Sequence, residues 1–184
     1  MRVLFVFWVL VLACGGGSVR GDVDGGGGGG GGGDAPPVDG KLAGVLEAHN
    51  AVRASHGQAP LVWDSGLAAM AAAWLEQCVD VQVPFGGVDE NPHLPDDVGH
   101  NERGSPFLSY TGKDAVRGWA SAEQQYSYST NYCVVNGYCA DYLQMVWGTT
   151  TQVGCGYHYC PALPSGVSVA CYYRPRMIPG QRPY

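Results

Sequence analysis

The chain has 184 residues, 46% of them hydrophobic, with 10 basic and 16 acidic side chains and a formal net charge of −6. That length fits one folded unit plus accessory segments. The acidic balance argues against a nucleic-acid backbone or an anionic membrane surface as the main partner.

The N-terminus reads Met1, Arg2 and then an unbroken apolar run from Val3 to Cys14, followed by small residues. A lone positive charge, a short apolar stretch and small residues form the pattern of a secretory signal, assigned here to residues 1–20. The run is shorter than the roughly 20 apolar residues that a membrane-spanning helix needs. Two rival readings are a short membrane anchor and a lipoprotein cleavage site at Val11-Leu12-Ala13-Cys14 with Cys14 lipidated. Removing Arg2 and Arg20 with the leader takes the basic count from 10 to 8 against 16 acidic residues, or −8. Residues 21–40 hold nine consecutive glycines, 25 to 33, and read as a flexible linker. No Lys-Ser/Thr follows the glycines, so the tract is not a phosphate loop. The folded domain is expected over 41–184.

Within that domain, Leu42, Val45, Leu46, His49, Val52 and Arg53 recur at helical spacing over 41–56, and Gly57 stops the pattern. Residues 60–63 read as a short extended link. Asp64 or Ser65 then caps a second helix whose apolar face carries Leu67, Met70, Ala71, Trp74, Leu75 and Cys78. Residues 79–112 are rich in Gly, Pro, Asp and Asn and read as irregular. A third helix is expected over about 113–126, with Trp119 and Glu123 on one side, and a short fourth over 141–147. Residues 152–160 and 167–173 then read as two strands joined by a hairpin-like link. Helices first and strands later indicate an α+β layered domain.

With Cys14 removed, six cysteines remain: Cys78, Cys133, Cys139, Cys155, Cys160 and Cys171. An even number behind a secretory signal implies three disulfides, but spacing does not choose among the pairings. No C-x2-C pair supports a zinc-thiolate site.

Ordered motifs run through 41–184: His49-Asn50-x-x-Arg53, Leu61-x-Trp63-Asp64-x-x-Leu67-Ala68, Gly99-x-Asn101, Trp119, Thr130-Asn131-x-Cys133, and Tyr142-x-Gln144-x-Val146-Trp147. They continue with Val153-Gly154-Cys155, Cys171-x-Tyr173-x-Pro175 and the tail Gly180-Gln181-Arg182-Pro183-Tyr184. In this series the domain resembles the CAP superfamily, the cysteine-rich secretory and plant pathogenesis-related-1 proteins, and its plant branch in particular. The resemblance implies a three-layer α-β-α sandwich around a central antiparallel sheet, stabilised by Cys78–Cys160, Cys133–Cys139 and Cys155–Cys171.

Family members line a central cleft with two His and two Glu, which in some members hold a divalent metal. Carried onto this chain, the first His maps to His93. The family Gly-Glu-Asn becomes Gly99-His100-Asn101, and the second His becomes Asp141. The second Glu position holds Ala122, with Glu123 adjacent. His93, His100, Asp141 and Glu123 thus keep imidazoles and carboxylates in exchanged positions, a set that suits zinc or a similar cation. The competing reading is a wet polar cleft that has lost its site.

His49 reads as a structural hydrogen-bonding residue, His56 as solvated beside a turn, and His158 as facing away from Tyr157 and Tyr159. No G-x-S-x-G elbow occurs, and cysteines committed to bridges leave no nucleophilic thiol, so nothing in the sequence demands an enzyme. The resemblance implies a secreted, monomeric, non-enzymatic module of the defence type that needs no cofactor. Its partner would be a sterol, another lipid or an extracellular protein, with a lipid groove expected near residues 79–112. Two alternatives remain: a zinc-dependent hydrolase using the altered cleft, and a precursor releasing a C-terminal peptide from Pro175 to Tyr184.

Overall fold

The computed structural model describes residues 35–36, 40–79, 94–134 and 139–184. The expected leader with Cys14, most of the glycine linker and His93 lie outside the described residues.

A 3-10 turn over Gly40–Leu42 leads into helix α1, Val45–Ser55. The helix begins later than the periodicity suggests because Gly44, at φ 73°, bends the chain into the left-handed region just before it. Strand β1 is the two-residue Val62–Trp63, and α2 spans Ser65–Leu75. Asp64 starts α2 as the expected cap, its carboxylate accepting from the Leu67 N–H at 2.8 Å. Strand β2 is Gly99–Ser105, and α3 is Gly112–Ala120, closed at its N-terminus by a reciprocal Thr111–Asp114 capping box. A 3-10 turn, Ser121–Gln125, joins α3 to β3, Tyr126–Ser127, which pairs with β4, Tyr132–Cys133. Helix α4, Ala140–Met145, then precedes the long strands β5, Gln152–Tyr159, and β6, Val167–Arg174.

The main sheet has the order β1-β5-β6-β2. The β5–β6 pair is antiparallel as expected; β2, from a stretch read as irregular, also pairs antiparallel with β6, and the short β1 departs from an all-antiparallel sheet by joining β5 in parallel. The two sheet faces follow from period-2 alternation. Val153 and Cys155 of β5 with Val169, Cys171 and Tyr173 of β6 meet α1 and α3 in the larger core, beside Val45, Val116 and Trp119. Ala170 and Tyr172 face the other way and meet Leu67, Ala71 and Leu75 of α2. Helix α4 packs with α1 and α3, so the layers are α2, the sheet, and the α1/α3/α4 group. This is the expected α-β-α sandwich.

Two glycines set how closely α2 sits. A Cβ on Gly154 would lie 2.2 Å from the Ala68 nitrogen, and one on Gly156 would lie 2.6 Å from the Ala72 nitrogen. Helix and strand backbones therefore touch at positions that no side chain could share. The bridges Cys78–Cys160, Cys133–Cys139 and Cys155–Cys171 are all formed. His158 projects to the α2 side, where its ring lies near the Cys78–Cys160 sulfurs.

Candidate functional site

The four expected cleft residues are distributed unequally. His100 pairs across the sheet with Tyr172, and its ring meets the Tyr172 ring edge-on at 5.7 Å, on the α2 side. Its neighbour Asn101 alternates to the opposite face. There the Asn101 amide donates to the main-chain oxygen of Asp141 at 2.9 Å and to the Tyr173 hydroxyl at 3.2 Å. Burial, and then the negative charge of Asp141, push the Tyr173 phenol well above its usual range. His93 is outside the described residues, and His100 and Asp141 each have further partners.

Glu123 is placed elsewhere. Helix α3 ends at Ala120 and tightens into a 3-10 turn, so the four-residue step from Trp119 to Glu123 does not keep both on one side. Trp119 is buried, while the Glu123 side chain is exposed and lies 3.5 Å from Nε2 of His56. Among the described residues, His100, Asp141 and Glu123 do not gather within ligand distance of a common point, and the one such group, Cys78, His158 and Cys160, has its cysteines joined in a disulfide.

The expected structural role of His49 is visible directly. Its Nδ1 lies 2.8 Å from the Val45 carbonyl and its Nε2 2.8 Å from the Tyr173 hydroxyl. The carbonyl can only accept, so Nδ1 carries the proton and Nε2 accepts from Tyr173. Full burial lowers the His49 pKa to about 4. One turn further on, Arg53 donates to the carbonyls of Ala59, Met145, Trp147 and Thr150. That side chain ties α1 to the loop after α4.

His56 is less solvated than its place beside a turn suggests. Its side chain is 13% exposed. It stacks on the Tyr184 ring at 5.5 Å and meets the Tyr142 ring edge-on at 5.6 Å. The tail lies across this cluster, held by Asn131 on the Gly180 oxygen, by Arg182 on the Tyr128 and Ser129 oxygens, and by the Gly148 N–H on the Pro183 oxygen.

A separate apolar groove of about 640 Å³ opens around the sheet edge. Strand β1 covers only Gln152 and Val153 of β5. Beyond it, the groove is lined by Ala35, Leu42, Trp63 and Tyr157 and, from α2, by Ala68, Ala69 and Ala72. Lys41 stands at this groove with its ammonium 5.9 Å from the Tyr157 ring centre, and it donates to the Leu108 oxygen. Sequence reasoning looked for a groove near residues 79–112, but none of these lining residues comes from there. The overlooked signal is the run of alanines on α2, a helix face too small to fill the space beside an uncovered strand.

Residues 46–173 match the family model of the cysteine-rich secretory protein family, CAP. Pathogenesis-related protein PRMS of Zea mays is 33% identical over 76% of this chain and 80% of its own length. Pathogenesis-related protein 1B of Nicotiana tabacum is also 33% identical, over 76% and 78%. The structure of the venom allergen-like protein 4 of Schistosoma mansoni superposes with a TM-score of 0.57 at 29% identity, covering 76% of this chain and 90% of that one. With its ordered motifs, its three bridges and this fold, the chain belongs to the CAP family and is of the pathogenesis-related-1 type.

Proposed function

We propose that this chain is a secreted, non-enzymatic binding module of the defence type, taking an apolar ligand of the sterol or lipid class in the groove between Leu42, Trp63 and α2. The observation that carries this reading is the groove itself, which presents apolar side chains around the part of β5 that, among the described residues, has no strand paired to it beyond β1. A ligand that buried about 200 Å² of apolar surface there would gain roughly 5 kcal/mol before the losses on association. Among the described residues Lys41 is the one cation lining it, so an amphipath with an anionic head suits it better than a neutral hydrocarbon. Secretion is supported by the apolar leader and the three bridges, which persist in oxidising compartments.

The test is equilibrium binding of a labelled sterol and a labelled fatty acid to the full chain and to a groove-filled variant, Ala69→Phe with Ala72→Phe. Ala69 is exposed and Ala72 half-buried, and both line the groove. The expected result is affinity at least about tenfold weaker in the variant, or roughly 1.4 kcal/mol. Equal affinity in the two proteins would place the ligand elsewhere.

A further inference from the structure

Tyr128 and Tyr184 are 56 residues apart in sequence, yet their rings stack with centres 5.0 Å apart and planes inclined by 15°. Both are open to solvent, at 44% and 39% exposure. The Tyr128 hydroxyl donates to the main-chain oxygen of Tyr184. Arg182 crosses the Tyr128 ring at 5.7 Å and bonds to the Tyr128 and Ser129 oxygens, so the pair is held in register from both sides. Two exposed phenols stacked this closely are an unusual way to spend surface, because either could turn its hydroxyl to water.

The Tyr184 hydroxyl also has a base. It lies 3.1 Å from Nδ1 of His56. The other ring nitrogen of His56 faces the Glu123 carboxylate at 3.5 Å and the Tyr142 hydroxyl at 3.3 Å. A neutral imidazole carries one proton. Placing it on Nε2, against the carboxylate, leaves Nδ1 free to accept from Tyr184. A phenol gives up an electron readily only when its proton can leave with it, and here an acceptor stands at hydrogen-bond distance with a carboxylate behind it.

We propose that Tyr128 and Tyr184 are a built site of oxidative tyrosine coupling, in which His56 takes the Tyr184 proton and the product is a covalent dityrosine tie between the tail and the body of the domain. The oxidant is of the peroxidase and hydrogen peroxide class. Each tyrosine loses one electron to it and one phenolic proton, that of Tyr184 to His56 and that of Tyr128 to water. The two phenoxyl radicals join through a carbon–carbon bond between positions ortho to the oxygens. The displaced ortho hydrogens return to the oxygens as the rings regain aromaticity. The net loss is two electrons and two protons, which convert one hydrogen peroxide into two water molecules. The tie keeps residues 175–184 attached even if the chain is cut before Pro175.

The experiment treats the full chain, at several protein concentrations, with a haem peroxidase and limiting hydrogen peroxide. Dityrosine fluorescence gives the rate, and mass spectrometry of the digest gives the linkage. The expected product is a Tyr128–Tyr184 cross-linked peptide lighter by two hydrogens than its parts, formed at a rate independent of protein concentration. Y128F and Y184F, which keep the rings and the stacking, abolish that peptide, whereas Y132F, at a tyrosine 57% exposed, leaves it unchanged. H56Q slows its formation by about tenfold or more. Cross-links found only between chains, or a Y128F protein that couples within the chain as fast as the parent, would overturn the site. An H56Q rate equal to the parent's would overturn the part assigned to the imidazole.

Discussion

Two histidines seven positions apart on and after α1 each meet a tyrosine hydroxyl, and their surroundings give them opposite characters. His49 is sealed between the Val45 carbonyl and Tyr173 with no exposed surface, and its pKa falls to about 4. Its proton is fixed by its partners, and its work is to fill and satisfy the core. His56 stands where α1 has ended, against an exposed carboxylate and between Tyr142 and a partly solvated Tyr184. There the same pair of groups lies at the surface, with the Tyr184 hydroxyl 3.1 Å from Nδ1 and the Glu123 carboxylate 3.5 Å from Nε2. The lesson is that an imidazole–phenol contact is structural or reactive according to what surrounds it, and motif spacing does not report that difference.

The contrast can be broken most severely at the buried end. Replacing Arg53 with Met removes donors from four carbonyls, three of them on the buried Met145, Trp147 and Thr150, and should cost on the order of 4 kcal/mol in urea unfolding. A loss under about 1 kcal/mol would mean that those carbonyls find other partners.

Acid should sharpen it next. The unfolded chain binds a proton at His49 near pH 6.5, while the folded chain resists doing so until about pH 4. Between those values the unfolded state holds more protons, so stability rises with pH across the window. It is complete above about pH 6.5 and falls by roughly 3 kcal/mol on acidification towards pH 4. H49F should flatten this dependence in denaturation curves taken at pH 7 and pH 4.5, at some cost in stability at both. A parent protein with the same midpoint at both pH values would contradict a neutral, buried His49.

At the tail end, H56Q should lower stability by about 1 kcal/mol, since the half-buried ring packs on Tyr142 and Tyr184 while its carboxylate partner Glu123 is exposed. A loss several times larger would make the tail cluster a structural core. The smallest effect concerns metal. Glu123 is turned towards His56, so zinc titrations of the full chain and of E123A should superimpose, while D141A and H100A report on the altered cleft. Weaker zinc binding in E123A would put that carboxylate back on a cation.

The long β5–β6 pair, the cap at Asp64 and the apolar face of α2 were legible in the sequence because each rests on local pattern. The side of the sheet taken by His158 was legible from alternation alone. Strand β2 was not. Gly99–Ser105 is polar and glycine-containing, with little intrinsic preference for a strand, and it forms through seven register pairs with β6. Reading it as irregular hid the consequence that His100 and Asn101 point to opposite faces. Helix α3 gave a related difficulty, since its switch into a 3-10 turn rotates Glu123 away from Trp119. The groove was invisible for another reason. It arises where a two-residue strand stops beside a longer one, and strand lengths at an edge are set by tertiary contacts.

The measurement that tests the binding reading most directly is a backbone amide NMR titration of the full chain with a fatty acid and with a sterol. Saturable shifts centred on Leu42, Trp63, Ala69, Ala72 and Tyr157 are the expected result. Shifts centred on Asn101 and Asp141, or no saturable shifts with either ligand, would contradict it.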